Sequence, residues 1–246
     1  MQIIPAFVTQ NKCYQAGAPL TPRGIMLHSV GTPQPSARAL VRYMDQYQPG
    51  GQSVCVHAVA QADGTVYQLL PWEMRGWHCG GSANSTHIGV EMTEPSAGMT
   101  RSEAAEQIAG TYRTVVELFA ELCKQYELDP AQDGVIIGHA EGHRRGVASN
   151  HADPELLWRT YDMGYTMDGF RCDVAEAMKN GAREEALDMP RYDSVAEMPQ
   201  WARAGVQRLI DRGVLSGVGN GKLDLSLDMI RTMIVCQRML DEQKET

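Results

Sequence analysis

The chain has 246 residues, 43% of them hydrophobic, and a formal net charge of −8, which suits one good-sized domain plus a small one and argues against a nucleic-acid partner held by its phosphates. Its longest apolar runs are far too short to cross a bilayer, so no membrane span is expected. The opening Met1-Gln2-Ile3-Ile4-Pro5-Ala6-Phe7 has neither the basic leader nor the sustained apolar stretch of a signal peptide, so synthesis in the cytoplasm is expected, with any extracellular target reached by another route.

Gly24-Ile25-Met26-Leu27-His28 reads as a strand, and residues 36–47 as a helix opened by Pro35, with Leu40, Val41 and Met44 at helical spacing. Residues 54–60 and 65–70 read as two strands of a hairpin turning at Ala62-Asp63-Gly64, and 88–92 as a short buried strand. Thr100-Arg101-Ser102-Glu103 has the form of a capping box. The helix it opens is expected to run to about Tyr126, because Ile108, Tyr112, Val115, Phe119, Leu122 and Tyr126 recur at steps of three and four. Residues 135–138 form the next strand, and 155–160 and 171–178 two short helices. Strand–helix alternation with a hairpin indicates an α/β domain whose mixed central sheet is flanked by helices.

Beyond it the texture changes. Residues 172–189 carry two basic and five acidic side chains and are expected as a connector. Amphipathic helices at 201–212 and 226–239 flank a glycine-punctuated stretch at 213–221. The expected organisation is a catalytic domain over 1–175, a linker over 176–190 and a small helical module over 191–246. No pair among Cys13, Cys55, Cys79, Cys123, Cys172 and Cys236 has knuckle or redox-motif spacing. Cys123 and Cys236 are expected as small buried thiols on helix faces.

The chemistry-bearing residues stand at strand ends. His28 closes one apolar run and His139 closes another, Val135-Ile136-Ile137-Gly138. Asp153 follows in His151-Ala152-Asp153-Pro154. Two imidazoles and a carboxylate form a three-ligand zinc set that leaves a fourth tetrahedral position for water. Glu91, in the apolar Ile88-Gly89-Val90-Glu91-Met92, is a carboxylate whose burial would raise its pKa toward general-base use.

Met26-Leu27-His28-Ser29, the hairpin with Asp63-Gly64, Gly76-Trp77-His78, Ile88-Gly89-Val90-Glu91-Met92, Gly138-His139 and His151-Ala152-Asp153-Pro154 occur in the order found in the zinc-dependent N-acetylmuramoyl-L-alanine amidases. That family includes phage lysozyme-type amidases, autolysins and peptidoglycan recognition proteins. From about Asn11 to Asp173 the chain resembles them. The resemblance implies Zn2+ held by His28, His139 and Asp153, water activation by Glu91, and a catalytic His151 beside the third ligand. It further implies peptidoglycan, glycan strand and stem peptide, as the substrate, cut at the amide between the lactyl group of muramic acid and L-alanine. A phage or prophage lysis enzyme reaching the wall after holin-type release would have this character. The interval from His139 to Asp153 is longer than in the shortest members and holds residues 141–146.

Other residues admit two readings. His57, Trp77 and His78 either border the cleft as substrate contacts or serve structure. Glu141, Arg144 and Arg145 either read stem-peptide carboxylates or form a solvated loop. Gly142 and Gly146 argue for loop there, which leaves His143 as a surface or supporting residue rather than a ligand. His87 reads as an exposed strand flank, Glu94 as a carboxylate outside the strand, and Trp72 as packing on the hairpin or stacking on a sugar face. Tyr192-Asp193-Ser194-Val195, Pro199-Gln200-Trp201-Ala202, the run 209–217 and the run 225–231, with Arg231 near a helix start, loosely resemble an S-layer-homology unit. That resemblance implies a secondary cell-wall polymer as partner. The other reading of the tail is a helical pair that forms a homodimer or docks on the catalytic domain. Two further readings of the whole chain are a recognition protein that binds peptidoglycan without cutting and a zinc peptidase that cuts within the stem peptide.

Overall fold

Parallel pairing at the centre of a six-stranded sheet organises the first 180 residues. The computed structural model describes residues 1–46, 54–187 and 191–242. Strand β1 is Gln2–Pro5, β2 Gly24–Ser29, β3 Ala58–Ala60, β4 Thr65–Gln68, β5 His87–Met92 and β6 Ile136–Gly138. They lie in the order β1-β4-β3-β5-β2-β6. All neighbours are parallel except the hairpin pair β3 and β4. Buried on both faces, β2 is apolar almost throughout, as central parallel strands are. β1 ends in Pro5 and lies at the sheet edge, where a residue without an N–H is tolerated.

Alternation divides the strand side chains between two faces. Ile25, Leu27, Ile88, Val90 and Met92 join a core completed by Ile108, Tyr112, Val115, Leu118 and Phe119 of helix α3, Arg101–Gln125. The Thr100–Glu103 capping box is formed, with Tyr126 as C-cap. Each of the larger core side chains would cost about 2–5 kcal/mol if truncated to alanine. On the other face Val59, Tyr67 and Leu69 pack with Leu40 and Met44 of helix α2, Ala37–Asp45. Ser36, not Pro35, caps α2, its side chain accepting from the Ala39 N–H. Tyr47, the expected last residue of that helix, lies outside the described residues.

Several elements depart from the expected bounds. A short helix α1, Lys12–Ala16, capped by Asn11, had no periodic signal. The hairpin ladder covers only Ala58–Ala60 and Thr65–Gln68, because the N–H groups of Leu69 and Leu70 both turn to the His57 carbonyl. Residues 139–144, expected as loop, form helix α4, His139–Arg144. Gly142 belongs to it, because a Cβ there would stand 2.9 Å from the Met26 side chain and 3.0 Å from that of Ala148. Helix α5 is Glu155–Thr160. Helix α6 is Met167–Leu187, much longer than 171–178, and it takes up most of the expected linker. Asp173 and Glu176, two of the acidic residues that marked a connector, are exposed on this helix, and Asp188 lies outside the described residues.

A second compact unit covers Gly181–Thr246. Its two-stranded ribbon pairs β7, Arg191–Tyr192, with β8, Leu225–Ser226. Helices α7, Gln200–Asp211, and α8, Leu227–Glu242, enclose Met198, Ala202, Val206, Ile230 and Ile234. Gly213, Gly217, Gly219 and Gly221 all have positive φ between the helices, as a tight glycine-rich connection requires. Cys236 is exposed, contrary to expectation, whereas Cys123 is buried.

A chain ending after Leu187 is expected to unfold in one cooperative transition with a midpoint close to that of the same unit in the full chain, because each unit has its own core. Calorimetry on both chains checks this, and an insoluble or non-cooperative truncated chain would place the boundary elsewhere.

Candidate metal centre and active site

β2 lies between β5 and β6, and the register pairs His28 with Glu91 and Leu27 with Gly138. His28 and Glu91 therefore share the sheet face opposite α3, at the C-terminal ends of parallel strands. This is where open α/β sheets place their sites. His139 continues from β6 as the first residue of α4. Glu141 fixes that junction. Its carboxylate accepts from the Gly138 N–H and pairs bidentately with Arg171, at 3.0 and 3.1 Å. Asp153 arrives from the following loop, held by the Ser29 N–H, which donates to Oδ2 at 3.3 Å.

Three donor atoms converge. His28 Nδ1 is 3.1 Å from His139 Nδ1 and 3.3 Å from Asp153 Oδ2, and His139 Nδ1 is 3.4 Å from Asp153 Oδ1. Donors 2.0–2.1 Å from a tetrahedral ion stand about 3.3 Å apart, so the spacing is that of a metal site. A cleft of about 600 Å³ opens over it, lined also by Glu91, Trp77, His78, Asn84, Ser149 and His151.

The electrostatics suit a cation. Burial lowers the His28 pKa in spite of Asp153 beside it, and burial pushes His78 well below 6.5; both rings are neutral at neutral pH. Burial alone would raise Asp153, but the imidazoles of His139 and His28 beside it hold its carboxyl far below the usual carboxylate range. Burial, together with the charges of Asp153 and Glu94, raises Glu91 well above 4.5. A neutral His28 imidazole, an anionic carboxylate and a nearby carboxylate with raised proton affinity suit hydrolytic chemistry.

Residues 18–156, more than half of the chain, match the family described as N-acetylmuramoyl-L-alanine amidase. The chain belongs to this family. It is an enzyme that hydrolyses peptidoglycan at the N-acetylmuramoyl-L-alanine amide. No curated protein matches it in sequence. Similar folds include Staphylococcus aureus hydrolase AmiA in complex with its ligand, 20% identical over 72% of this chain and 83% of that one, TM-score 0.58. The catalytic domain of XlyA is 22% identical over 71% and 99%, TM-score 0.53. A mutant endolysin from Bacillus subtilis is 20% identical over 71% and 99%, TM-score 0.51.

Within this amidase, His151 stacks on His139 with ring centroids 4.5 Å apart, its own ring exposed at the cleft rim. Trp77 and His78 line the cleft. His57 is not among the residues that line the cleft. It is fully buried, its Nε2–H donates to the Met74 carbonyl at 2.7 Å, and its Nδ1 accepts from the Gly89 N–H at 2.9 Å. Arg144 and Arg145 lie outside the cleft on the exposed end of α4, paired with Glu155 and Asp133. Glu141 is a half-buried partner of Arg171, not a solvated loop residue. His143 is exposed. His87, expected as an exposed flank, is buried in β5 and hydrogen-bonds the Gly134 carbonyl and the Thr86 hydroxyl. Glu94 accepts from the Ser29 hydroxyl and the Gly31 N–H, both at 2.7 Å. Trp72 packs on the core beneath α3.

Asn84, Ser149 and Arg171 also build the site and carry no motif signal. Each is a common polar residue whose role depends on partners far away in sequence.

Burial depresses His57 from 6.5 to about 4. Between those values the unfolded chain binds a proton at this position that the folded amidase refuses, so stability is complete above pH 6.5, falls on acidification through the window and levels off below it. The loss is about 3 kcal/mol. Urea midpoints of the metal-free amidase and of His57→Asn at pH 7 and pH 4 test this. The wild type is expected to lose about that much more stability than the variant over the interval.

Proposed function

We propose that the amidase is zinc-dependent, with His28, His139 and Asp153 as ligands, and that it serves as a phage or prophage endolysin. The observation that carries the zinc reading is the 3.1–3.4 Å convergence of three donors beside Glu91. Zinc held there would supply a Lewis acid and a water made acidic near neutral pH. Glu91, with its raised proton affinity, accepts the proton of the attacking water and returns it to the departing amine of L-alanine. His151, at the rim on the face of His139, donates an N–H to the oxygen of the scissile carbonyl as negative charge develops, an effect of about 3–4 kcal/mol for one well-placed donor. The cleft walls, Trp77 among them, hold the muramoyl group and stem peptide on either side of the bond.

The endolysin reading is supported by the likeness to a solved endolysin and by the order of the chain, catalytic unit then small helical unit. Release from the cytoplasm onto the wall would then follow a holin-type step. No described helix is long and apolar enough to cross a membrane. The second unit, with its glycine-rich connection between two helices, suits a secondary wall polymer as partner; the competing role is a homodimer contact.

Mass spectrometry of digested peptidoglycan is expected to show free stem peptides beginning at L-alanine and intact glycan strands, and cleavage within the stem would instead mark a peptidase. His139→Ala should lose both zinc and activity. Glu91→Gln should keep zinc and lose turnover by a factor on the order of 10² to 10⁴, and His151→Ala should keep zinc and slow. Undiminished zinc in His139→Ala would sink the ligand assignment. Wall sedimentation and light scattering of the full chain and of the chain ending after Leu187 separate wall binding from dimerisation. Wall anchoring predicts weaker sedimentation with the number of chains per particle unchanged, and dimerisation predicts a change from two chains per particle to one.

A further inference from the structure

Each of the two histidine ligands uses Nδ1 toward the metal position, and each Nε2 leads into a hydrogen-bond chain that ends on a backbone carbonyl. A carbonyl oxygen only accepts, so it decides every proton upstream of it. The His87 carbonyl lies 3.2 Å from His78 Nε2, which must therefore carry the hydrogen. His78 Nδ1 is left with a lone pair and accepts from His28 Nε2 at 2.9 Å. With its hydrogen on Nε2, His28 has a bare Nδ1. The second chain has the same logic. The Cys79 carbonyl accepts the Ser149 hydroxyl proton at 3.0 Å. Ser149 Oγ then accepts from His139 Nε2 at 3.3 Å, and His139 Nδ1 is bare as well. No proton lies between the two Nδ1 atoms at 3.1 Å, and both lone pairs aim at the position that Asp153 also faces.

The two chains are built as one unit. The carboxamide oxygen of Asn84, itself buried, accepts from the N–H groups of His78 and of Cys79, at 2.9 and 3.0 Å. It thereby fixes the segment that carries the ring of one chain and the terminal carbonyl of the other. The His78 ring sits in a slot between two glycines. A Cβ on Gly89 would stand 2.4 Å from His78 Cγ, and one on Gly76 would stand 3.0 Å from His78 Cδ2. The ring has one placement, and in that placement Nδ1 faces His28.

We propose that His78 and Ser149 are positioning residues that fix the tautomers of His28 and His139, so that both ligands present Nδ1 lone pairs to the metal before it arrives. This rests on the reading of His28, His139 and Asp153 as a zinc site. Outer partners of this kind typically govern metal affinity by 10–100-fold. His78 therefore belongs to the metal-binding machinery and not to the substrate contacts.

The test is the zinc dissociation constant of the full-length amidase, measured by chelator competition, together with the melting midpoint of the metal-free form. His78→Asn places a carboxamide oxygen where Nδ1 stood, whereas His78→Gln reaches the Nε2 position and leaves His28 Nε2 without its acceptor. His78→Gln is expected to bind zinc 10–100-fold more weakly, with the metal-free midpoint near that of His78→Asn. His78→Asn should bind within a few-fold of the wild type. Ser149→Ala should weaken zinc binding and Ser149→Thr restore it, a pair that decides the matter if the His78 variants do not fold. Equal zinc affinity in His78→Gln and His78→Asn, or wild-type affinity in Ser149→Ala, overturns the proposal. A wild-type enzyme that takes up no zinc overturns the metal reading beneath it, and the two failures are distinguishable.

Discussion

The register of β2 between its two parallel neighbours is the constraint on which the site depends. Pairing His28 with Glu91 and Leu27 with Gly138 brings a proposed ligand, the proposed base and the start of α4 to one end of the sheet. A shift of one residue in β2 would exchange its faces, sending His28 into the core under α3 and Leu27 into the cleft. The apolar alternation of Ile25 and Leu27 against Met26 thus protects the chemistry as well as the core. The burial that stabilises the sheet also sets the proton affinities at its end, since the groups there are desolvated by the same packed strands.

That arrangement has a cost in the metal-free enzyme. In the tautomers proposed above, two bare nitrogens and a carboxylate held 3.1–3.4 Å apart would repel one another, with the supporting hydrogen bonds directed outward. Rigid anchors oppose the repulsion: the Glu141–Arg171 pair under α4, the Ser29 N–H on Asp153, and the Asn84 carboxamide under His78. A cation binding there would convert repulsion into attraction without moving the ligands. The site is preorganised in that sense, and the free energy of metal binding adds to the stability of the folded state.

Much of this was legible in the chain. The central strands announced themselves as apolar runs closed by histidine, the capping box named the start of α3, and the spacing of Ile108, Tyr112, Val115, Phe119 and Leu122 gave its buried face. What stayed hidden depends on distant partners. Gly142 looked like a loop marker, yet it is a packing requirement where α4 crosses Met26. Acidic residues after Cys172 looked like a connector, yet charge alone does not separate a tether from the solvent face of a helix. His57 and His78 read alike, as cleft contacts or structural rings, and His87 as an exposed flank. All three face a backbone carbonyl through Nε2, and the partner of Nδ1 separates them: the Gly89 N–H for His57, the Thr86 hydroxyl for His87 and His28 for His78.

The loop from Ser149 to Asp153 shows how one short segment serves two chemical ends. It is tied by the Ser149 N–H to the Cys79 carbonyl at 2.8 Å and by the Asp153 carbonyl, which accepts from the Ala140 N–H at 3.1 Å. With both ends fixed and the backbone between them outside helix and turn, His151 and Asp153 stand two residues apart and face the same cleft. The carboxylate goes inward to the two Nδ1 atoms, while the imidazole stays at the rim against the His139 ring. The long interval after His139 is what makes room for this. It lets α4 complete its turns and pack on Met26, and it returns the chain to the Cys79 carbonyl, where Ser149 closes the hydrogen-bond chain from His139 before Asp153 is delivered.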